Sequence, residues 1–443
     1  MSGIAAGSLI FVCLMALLAL RVPIGIAMFA MGSGGHFLLS GAEWAPLLST
    51  WKHVAWARLS NYDLIVIPMF LLMGQFATHG GLSQALFRFV AAFMGHLRGG
   101  IAMASIGACA GFGAICGSSL ATAATMGQVA LPELRRYGYA GSLATGALAA
   151  GGTLGIMIPP SVPLVIYAIL TQESIGKLFM AAVLPGLIAM VGYMIVVRII
   201  VRLKPEAGPA GPVVPWPERL KALAQVAPVL GVFLVVIVGI YGGWANPTEA
   251  AAIGAAACGV LAVATGGMRL KGIVESALGT AQATAMIFLV LLGADMLNTA
   301  LALSQMPVEL AAWVQASGLT PMVVMVAILV IYILLGCVMD SLAMILLTIP
   351  IFYPVVMGLE FHGLTASDKS IWFGILALMV VEIGLVHPPV GMNVFIINRL
   401  AKDVPLVETF KGVMPFLASD LLRIVLLLAV PSISLVLVRS FSG

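Results

Sequence analysis

Residues Gly155–Tyr167 read GIMIPPSVPLVIY, and Gly384–Ile396 read GLVHPPVGMNVFI. Each stretch sets two adjacent prolines, Pro159-Pro160 and Pro388-Pro389, inside a segment apolar enough for lipid. A proline in a helix interior removes a backbone donor and clashes with the preceding turn, so two in succession stop the helix. The freed carbonyls need a partner, and non-helical backbone at membrane depth is tolerated only inside protein or beside a water-filled cavity. A bound cation is one such partner. The two stretches therefore predict two helices broken within the membrane around a site.

The rest of the chain fits a lipid solvent. Of its 443 residues 62% are hydrophobic and 9% charged, where a soluble domain carries about 25% charged residues. Roughly a dozen apolar runs approach the ~20 residues that span a bilayer. Helices satisfy their backbone internally, and no alternating pattern suggests a barrel. The expected class is an all-α polytopic membrane protein in a lipid bilayer. Net charge is +4, with no basic run of the kind that binds nucleic acid. The first residues lack a charged n-region and a cleavage site, so they are expected to remain as a first helix. Cys13, Cys109, Cys116, Cys258 and Cys337 show no metal or disulfide spacing and read as small core residues.

The chain reads as two related halves. SLATAATMGQVALP (Ser119–Pro132) matches SLAMILLTIPIFYP (Ser341–Pro354), and the double prolines follow in the same order. Upstream, IPMFLLMG at Ile67 pairs loosely with MIFLVLLG at Met286, and RVPIGIAM at Arg21 with ANPTEAAAIG at Ala245. The first repeat is set at residues 1–202, with a hairpin at about 99–134 and a broken helix at about 141–170. A proline-rich linker occupies 203–221. The second repeat is 222–443, with a hairpin at about 320–357 and a broken helix at about 371–398. Lysine and arginine mark cytoplasmic loops. Arg98, Arg135 and Arg136 flank the first hairpin on both sides, and Arg202, Lys204, Arg219 and Lys221 mark the linker. No lysine or arginine lies between Lys271 and Lys369. The hairpins thus read as re-entrant from opposite faces, in inverted repeats, a pattern of secondary transporters.

Hard cations take oxygen ligands, and oxygen side chains gather at the breaks. In the first half they are Ser118, Ser119, Thr122, Thr125, Thr153 and Ser161; in the second, Asp340, Ser341, Thr348 and Asn393. Gly117 and Gly336 stand beside them and allow close backbone approach. Asp340 is the most informative charge, because a carboxylate at membrane depth costs several kcal/mol unless paired or hydrated. It serves a cation site, a salt bridge or a hydrated hairpin tip. Ser161, His387 and Asn393 are candidates for the substrate, although such a histidine also suits the cap of a broken helix. Glu382, more than a turn before its break, reads as a structural partner. Asn246, Pro247 and Glu249 form a capping-box pattern. Asp63 and Asp295 read as buried pairing groups. Trp44–Asp63, with three tryptophans and Lys52, His53 and Arg58, suits a lipid–water boundary.

These motifs together resemble the large membrane subunit of the tripartite ATP-independent periplasmic (TRAP) transporters. The resemblance rests on IPMFLLMG, GFGAICGSSLATAATMG, LPEL, GTLGIMIPPSVPLVIYAI, NPTEAAA, MDSLAMILLTIPIFYPV and HPPVGMNVFII, in order from about Ile67 to Leu428. It implies a sodium-coupled importer of a small organic acid, such as a C4-dicarboxylate, in the bacterial inner membrane. It also implies an elevator in which hairpins and broken helices form a transport domain that slides against a scaffold. Its implied partners are a small four-helix membrane subunit on a second polypeptide and a periplasmic substrate-binding protein. The family's sodium sites carry over to Ser118, Ser119 and Pro160, and to Asp340, Ser341 and Pro389. Gly117, Thr122, Thr153 and Gly336 extend that set from their own chemistry.

An enzyme is not expected. NYD at Asn61 and GAD at Gly293 evoke paired aspartates of intramembrane proteases, but Leu292 and Ala294 stand where glycines are needed. No GxxxxGK phosphate loop is present. The rival reading is a stand-alone sodium–dicarboxylate symporter that needs no binding protein.

Overall fold

The computed structural model describes residues 3–337 and 339–441, and these form twenty α-helices and no strand. The first half opens with α1 (Gly3–Ala19), α2 (Ile24–Leu39), α3 (Trp44–Leu59), α4 (Val66–His79) and α5 (Leu82–Met94). An antiparallel pair follows, α6 (Gly100–Cys116) and α7 (Ser119–Arg136), then α8 (Gly141–Met157), α9 (Val162–Thr171) and α10 (Ile175–Leu203). The second half contains α11 (Trp216–Tyr241), α12 (Pro247–Ala264), α13 (Leu270–Ser304) and α14 (Met306–Ala316). Its hairpin is α15 (Pro321–Gly336) with α16 (Ser341–Met357), followed by α17 (Ala366–Gly384), α18 (Met392–Leu400), α19 (Leu406–Ala429) and α20 (Ser432–Phe441). Among the described residues six helical stretches are long and apolar enough to cross a membrane, or seven if α8 and α9, bent by 40°, count as one.

The breaks fall where the prolines dictate. Helix α8 stops at Met157 and α9 starts at Val162; α17 stops at Gly384 and α18 starts at Met392. Both Pro159-Pro160 and Pro388-Pro389 are cis. Prolines also recur inside α10 (Pro185) and α19 (Pro415). The capping box at Asn246 is formed in both directions: Glu249 N–H donates to the Asn246 side chain at 2.8 Å, and Asn246 N–H donates to Glu249 Oε2 at 2.9 Å.

Small residues set the packing. A methyl built on Gly113 of α6 would lie 2.3 Å from Gly155 Cα of α8. In the second half a methyl on Gly384 of α17 would lie 2.5 Å from the Gly336 backbone of α15. Each hairpin thus presses one arm onto its own broken helix at backbone contact. The halves also exchange partners, since α2 packs along α13 and α12 along α4. Leu234, Val235 and Val238 of α11 and Val260 and Val263 of α12 face outward, as lipid-facing side chains do.

Two sequence expectations shift in detail. The linker is shorter than 203–221, because α11 already begins at Trp216, where Pro217 suits a first helical turn. It is also fastened: Gly99 N–H donates to Gly208 O, Gly211 N–H to Gly95 O and Ala140 N–H to Ala207 O. The Trp44–Asp63 segment is helical as α3 over Trp44–Leu59, with Trp44 and Trp56 exposed. Arg58 at its end makes a two-pronged ion pair with Asp295 of α13.

Candidate functional site

The first hairpin turns at Gly117, whose left-handed φ of +62° ends α6. Such a conformation suits a residue without Cβ. Ser118 then caps α7, accepting from Ala121 N–H at 3.4 Å. The second hairpin repeats the device with Asp340, which caps α16 by accepting from Ala343 N–H at 3.5 Å. Val338, within that tip, lies outside the described residues. Each tip therefore aims a helix N-terminus, with its free N–H groups, into the protein.

Both tips line one cavity of about 180 Å³, with Val162 and Pro163 at the start of α9. Leu71 of α4 and Ala283, Met286 and Ile287 of α13 form its opposite wall. Three helix N-termini converge there, which favours a negatively charged group.

Oxygens crowd the first break. A methyl on Gly117 would lie 3.1 Å from Pro160 O, and one on Gly155 would lie 2.4 Å from Thr122 Oγ1 and 2.8 Å from Ser118 O. Among the described residues Ser161 Oγ and Asn393 Oδ1 are buried without a hydrogen-bond partner, and Thr122 Oγ1 meets none stronger than the Cys116 thiol. Buried polar oxygens are nearly always satisfied, so this set suits an oxygen-seeking cation. No group of three histidines, cysteines or carboxylates that could hold a metal occurs among the described residues. The donors gathered there are oxygens, the type that hard cations take.

The remaining candidates divide. Ser119 and Ser341 meet through a third residue: Glu382 of α17, fully buried, accepts from the Ser119 hydroxyl on one oxygen and from the Ser341 hydroxyl, at 2.7 Å, on the other. Gly336 abuts Gly384 beside that junction. Asn393 crosses between halves, its amide donating to Ala149 O of α8 at 3.3 Å. His387 is half-buried, with Nδ1 against Pro388 O and 3.5 Å from Cys337 Sγ. Pro389 is exposed. Thr153 turns away from the tips: its hydroxyl donates to Ala150 O at 2.7 Å and sits 3.1 Å from Tyr193 Oη. Thr348 is likewise engaged, with Met344 O and Tyr332 Oη, both at 2.7 Å.

Sequence reasoning gave Glu382 only a structural part. The signal was present, since it is the one acidic residue of the apolar segment 370–401 and stands nearly two turns before the double proline. Behind it lies a second buried group on α19, Asp420 paired with Arg423 at 2.9 Å, with Tyr193 Oη donating to Asp420 at 2.9 Å. Elsewhere, a larger cavity of about 900 Å³ opens beside the Arg58–Asp295 pair, lined also by His53, Gln172, Glu173 and Asn298.

Comparisons with known proteins agree with this architecture. A family described as the DctM component of the tripartite ATP-independent periplasmic transporter matches residues 11–433. The chain is 36% identical to the C4-dicarboxylate TRAP transporter large permease protein DctM of Pseudomonas aeruginosa, over 85% of this chain and 86% of that protein. It is 31% identical to the ectoine TRAP transporter large permease protein TeaC of Halomonas elongata, over 95% and 96% of the two chains. Among solved structures, the Alcanivorax borkumensis YdaH transporter shares its fold, with a TM-score of 0.59 at 14% identity and 87% of each chain covered.

Proposed function

The chain belongs to the DctM component family of the tripartite ATP-independent periplasmic transporters, and from that premise we propose that it imports a small carboxylate coupled to sodium. The observation that carries this reading is the convergence of both hairpin tips, the start of α9 and Leu385 of the second break on one cavity, with Ser161 and Asn393 at the two breaks holding buried oxygens that lack hydrogen-bond partners among the described residues. Cations held there neutralise the acidic tip residue Asp340 and leave the helix N-termini to the substrate's carboxylate. Moving one charge through 100 mV is worth ~2.3 kcal/mol, so two or more sodium ions drive steep accumulation of an anion. A relative named for a C4-dicarboxylate supports a carboxylate as the cargo, and one named for ectoine shows that cargo varies among the relatives.

In this reading the halves are inverted repeats. The hairpins and broken helices α6–α9 and α15–α18 move as one body past a scaffold of α2, α4, α12 and α13. The positive charges of the linker support a cytoplasmic position for it. Helix α10 carries the chain from Ser174, which lines the 900 Å³ cavity, to the linker at its other end. That cavity then faces the periplasm, where a substrate-binding protein delivers its cargo. A small membrane subunit completes the complex in the inner membrane.

The test is uptake by proteoliposomes carrying the chain, a candidate small subunit and candidate binding proteins under an imposed sodium gradient. Uptake is expected only with all components and inward sodium. Equal uptake with a choline gradient refutes sodium coupling, and uptake by this chain alone favours the stand-alone symporter.

A further inference from the structure

We propose that Glu382 is the positioning residue that joins the two hairpin tips into a single sodium-responsive unit, an inference that rests on the sodium coupling proposed above. Three observations carry it. Glu382 is fully buried and accepts from Ser119 of one hairpin and Ser341 of the other, one serine on each carboxylate oxygen. These serines lie 222 positions apart in sequence, yet both line the 180 Å³ cavity with the caps Ser118 and Asp340. Ser161 at the first break and Asn393, which reaches Ala149 O of α8, have oxygens buried without partners among the described residues, and Thr122 has only a thiol.

The chemistry follows from hydroxyl valence. A serine hydroxyl has one hydrogen and two lone pairs. With its hydrogen committed to Glu382, each serine offers only lone pairs to the cavity, which is the orientation a cation requires. One carboxylate fixes both serines at once, so an ion settling at either tip tightens a group the other tip shares.

Charge balance points the same way. The ionisable groups beside Glu382 are Asp420 and Arg423 of α19, which pair with each other at 2.9 Å. Tyr193 of α10 binds Asp420 and Thr153, and it brings no charge at neutral pH. Asp420 and Arg423 offset each other, which leaves Glu382 with hydrogen bonds alone, and a buried carboxylate is costly to ionise without a cation beside it. A sodium ion at the tips supplies the missing positive charge.

The experiment compares wild type with Glu382→Gln in the reconstituted complex, measuring initial uptake against sodium concentration. A sodium-dependent melting shift of the purified chain is the second readout. The substituted amide keeps one acceptor and adds a donor, so one serine must accept and turn its hydrogen toward the cavity. The half-saturating sodium concentration is expected to rise about tenfold, as for a lost hydrogen bond to a charged group. The sodium Hill coefficient is expected to fall toward one, and the melting shift to shrink in parallel. Should that variant not yield monodisperse protein, Glu382→Asp serves: it keeps the charge, reaches only one hairpin, and is expected to lower the Hill coefficient while retaining sodium activation. A wild-type response with an unchanged half-saturation and Hill coefficient in the variant overturns the inference alone. A wild-type protein indifferent to sodium overturns the sodium reading, and the inference with it.

Discussion

The sharpest perturbation of the proposed cation site is a single methyl group at Gly155. Built on the observed backbone, it would lie 2.4 Å from Thr122 Oγ1, 2.8 Å from Ser118 O and 2.9 Å from Thr122 Cβ. Comfortable contacts begin near about 3.5 Å, so the overlap is about 1.1 Å on Thr122 Oγ1 and about 0.7 Å on Ser118 O, two of the proposed oxygen ligands. Overpacking of this kind costs about 1–3 kcal/mol. Thr122 relieves part of it by rotating, but that withdraws its hydroxyl from the site; Ser118 O is backbone and moves only with the hairpin tip. The part of the cost that is paid only when the site holds its ion, at 1.4 kcal/mol per factor of ten, raises half-saturating sodium by up to about 150-fold, and the rest lowers the melting temperature. Gly151→Ala is the matched control, one turn earlier on the same helix. Its methyl would meet the Cys109 thiol at 3.0 Å, away from the tips. The assay is sodium titration of uptake for both variants, with melting temperature as the check on folding. Overlapping titrations for Gly155→Ala, Gly151→Ala and wild type would refute the placement of a cation between Thr122, Ser118 and the first break.

Three further outcomes are expected. Asp340→Asn keeps a side chain able to cap α16 but removes its charge; sodium activation should weaken by about tenfold with insertion unchanged, and an unaltered titration removes Asp340 from the site. Asn246→Ala deletes the reciprocal cap of α12 and should cost about 1 kcal/mol, read as a lower melting temperature with sodium half-saturation unchanged. Arg58→Ala strands Asp295, which is only 15% exposed. Breaking a buried pair costs up to ~3–5 kcal/mol, and this partly exposed one should cost less. Adding Asp295→Ala should recover part of the lost melting temperature, and a double variant no better than the single would show that the pair carries no mutual stabilisation.

The helix breaks and the capping box were legible in sequence because each has a local cause. Double proline halts a helix wherever it occurs, Gly117 needs no neighbour to adopt a positive φ, and Asn246 and Glu249 satisfy each other within one turn. What could not be read were contacts between distant segments. Nothing local tells that Asn393 reaches Ala149, that Arg58 pairs with Asp295, or that Thr153 turns toward Tyr193 and Asp420. The oxygen-rich candidates were grouped by nearness to a break, a rule blind to which face of a helix each occupies. It therefore gathered Thr153 and Thr348, whose hydroxyls donate to Ala150 O and Met344 O, and it gave Glu382 a structural part without naming its two serine partners.

The register that sets Pro389 opposite Pro160 also sets Glu382 opposite Thr153. That difference has a physical reason. Two fully buried carboxylates at equivalent points would stand close to the same pair of hairpins, and like charges in a low-dielectric interior cannot both remain ionised. One carboxylate and one hydroxyl avoid the conflict. Thr153 spends its hydroxyl on Tyr193, which in turn donates to Asp420. Glu382 spends both oxygens on the tips. The near-symmetry of the glycine contacts, Gly113 on Gly155 and Gly336 on Gly384, keeps the two hairpins equally close to their broken helices. The asymmetry at this one position lets a single charged group serve both. The two hairpins and their broken helices thus share a centre that belongs to neither half, and exchanging the two residues, with Thr153→Glu and Glu382→Thr together, should preserve the packing volume yet lose the shared response to sodium.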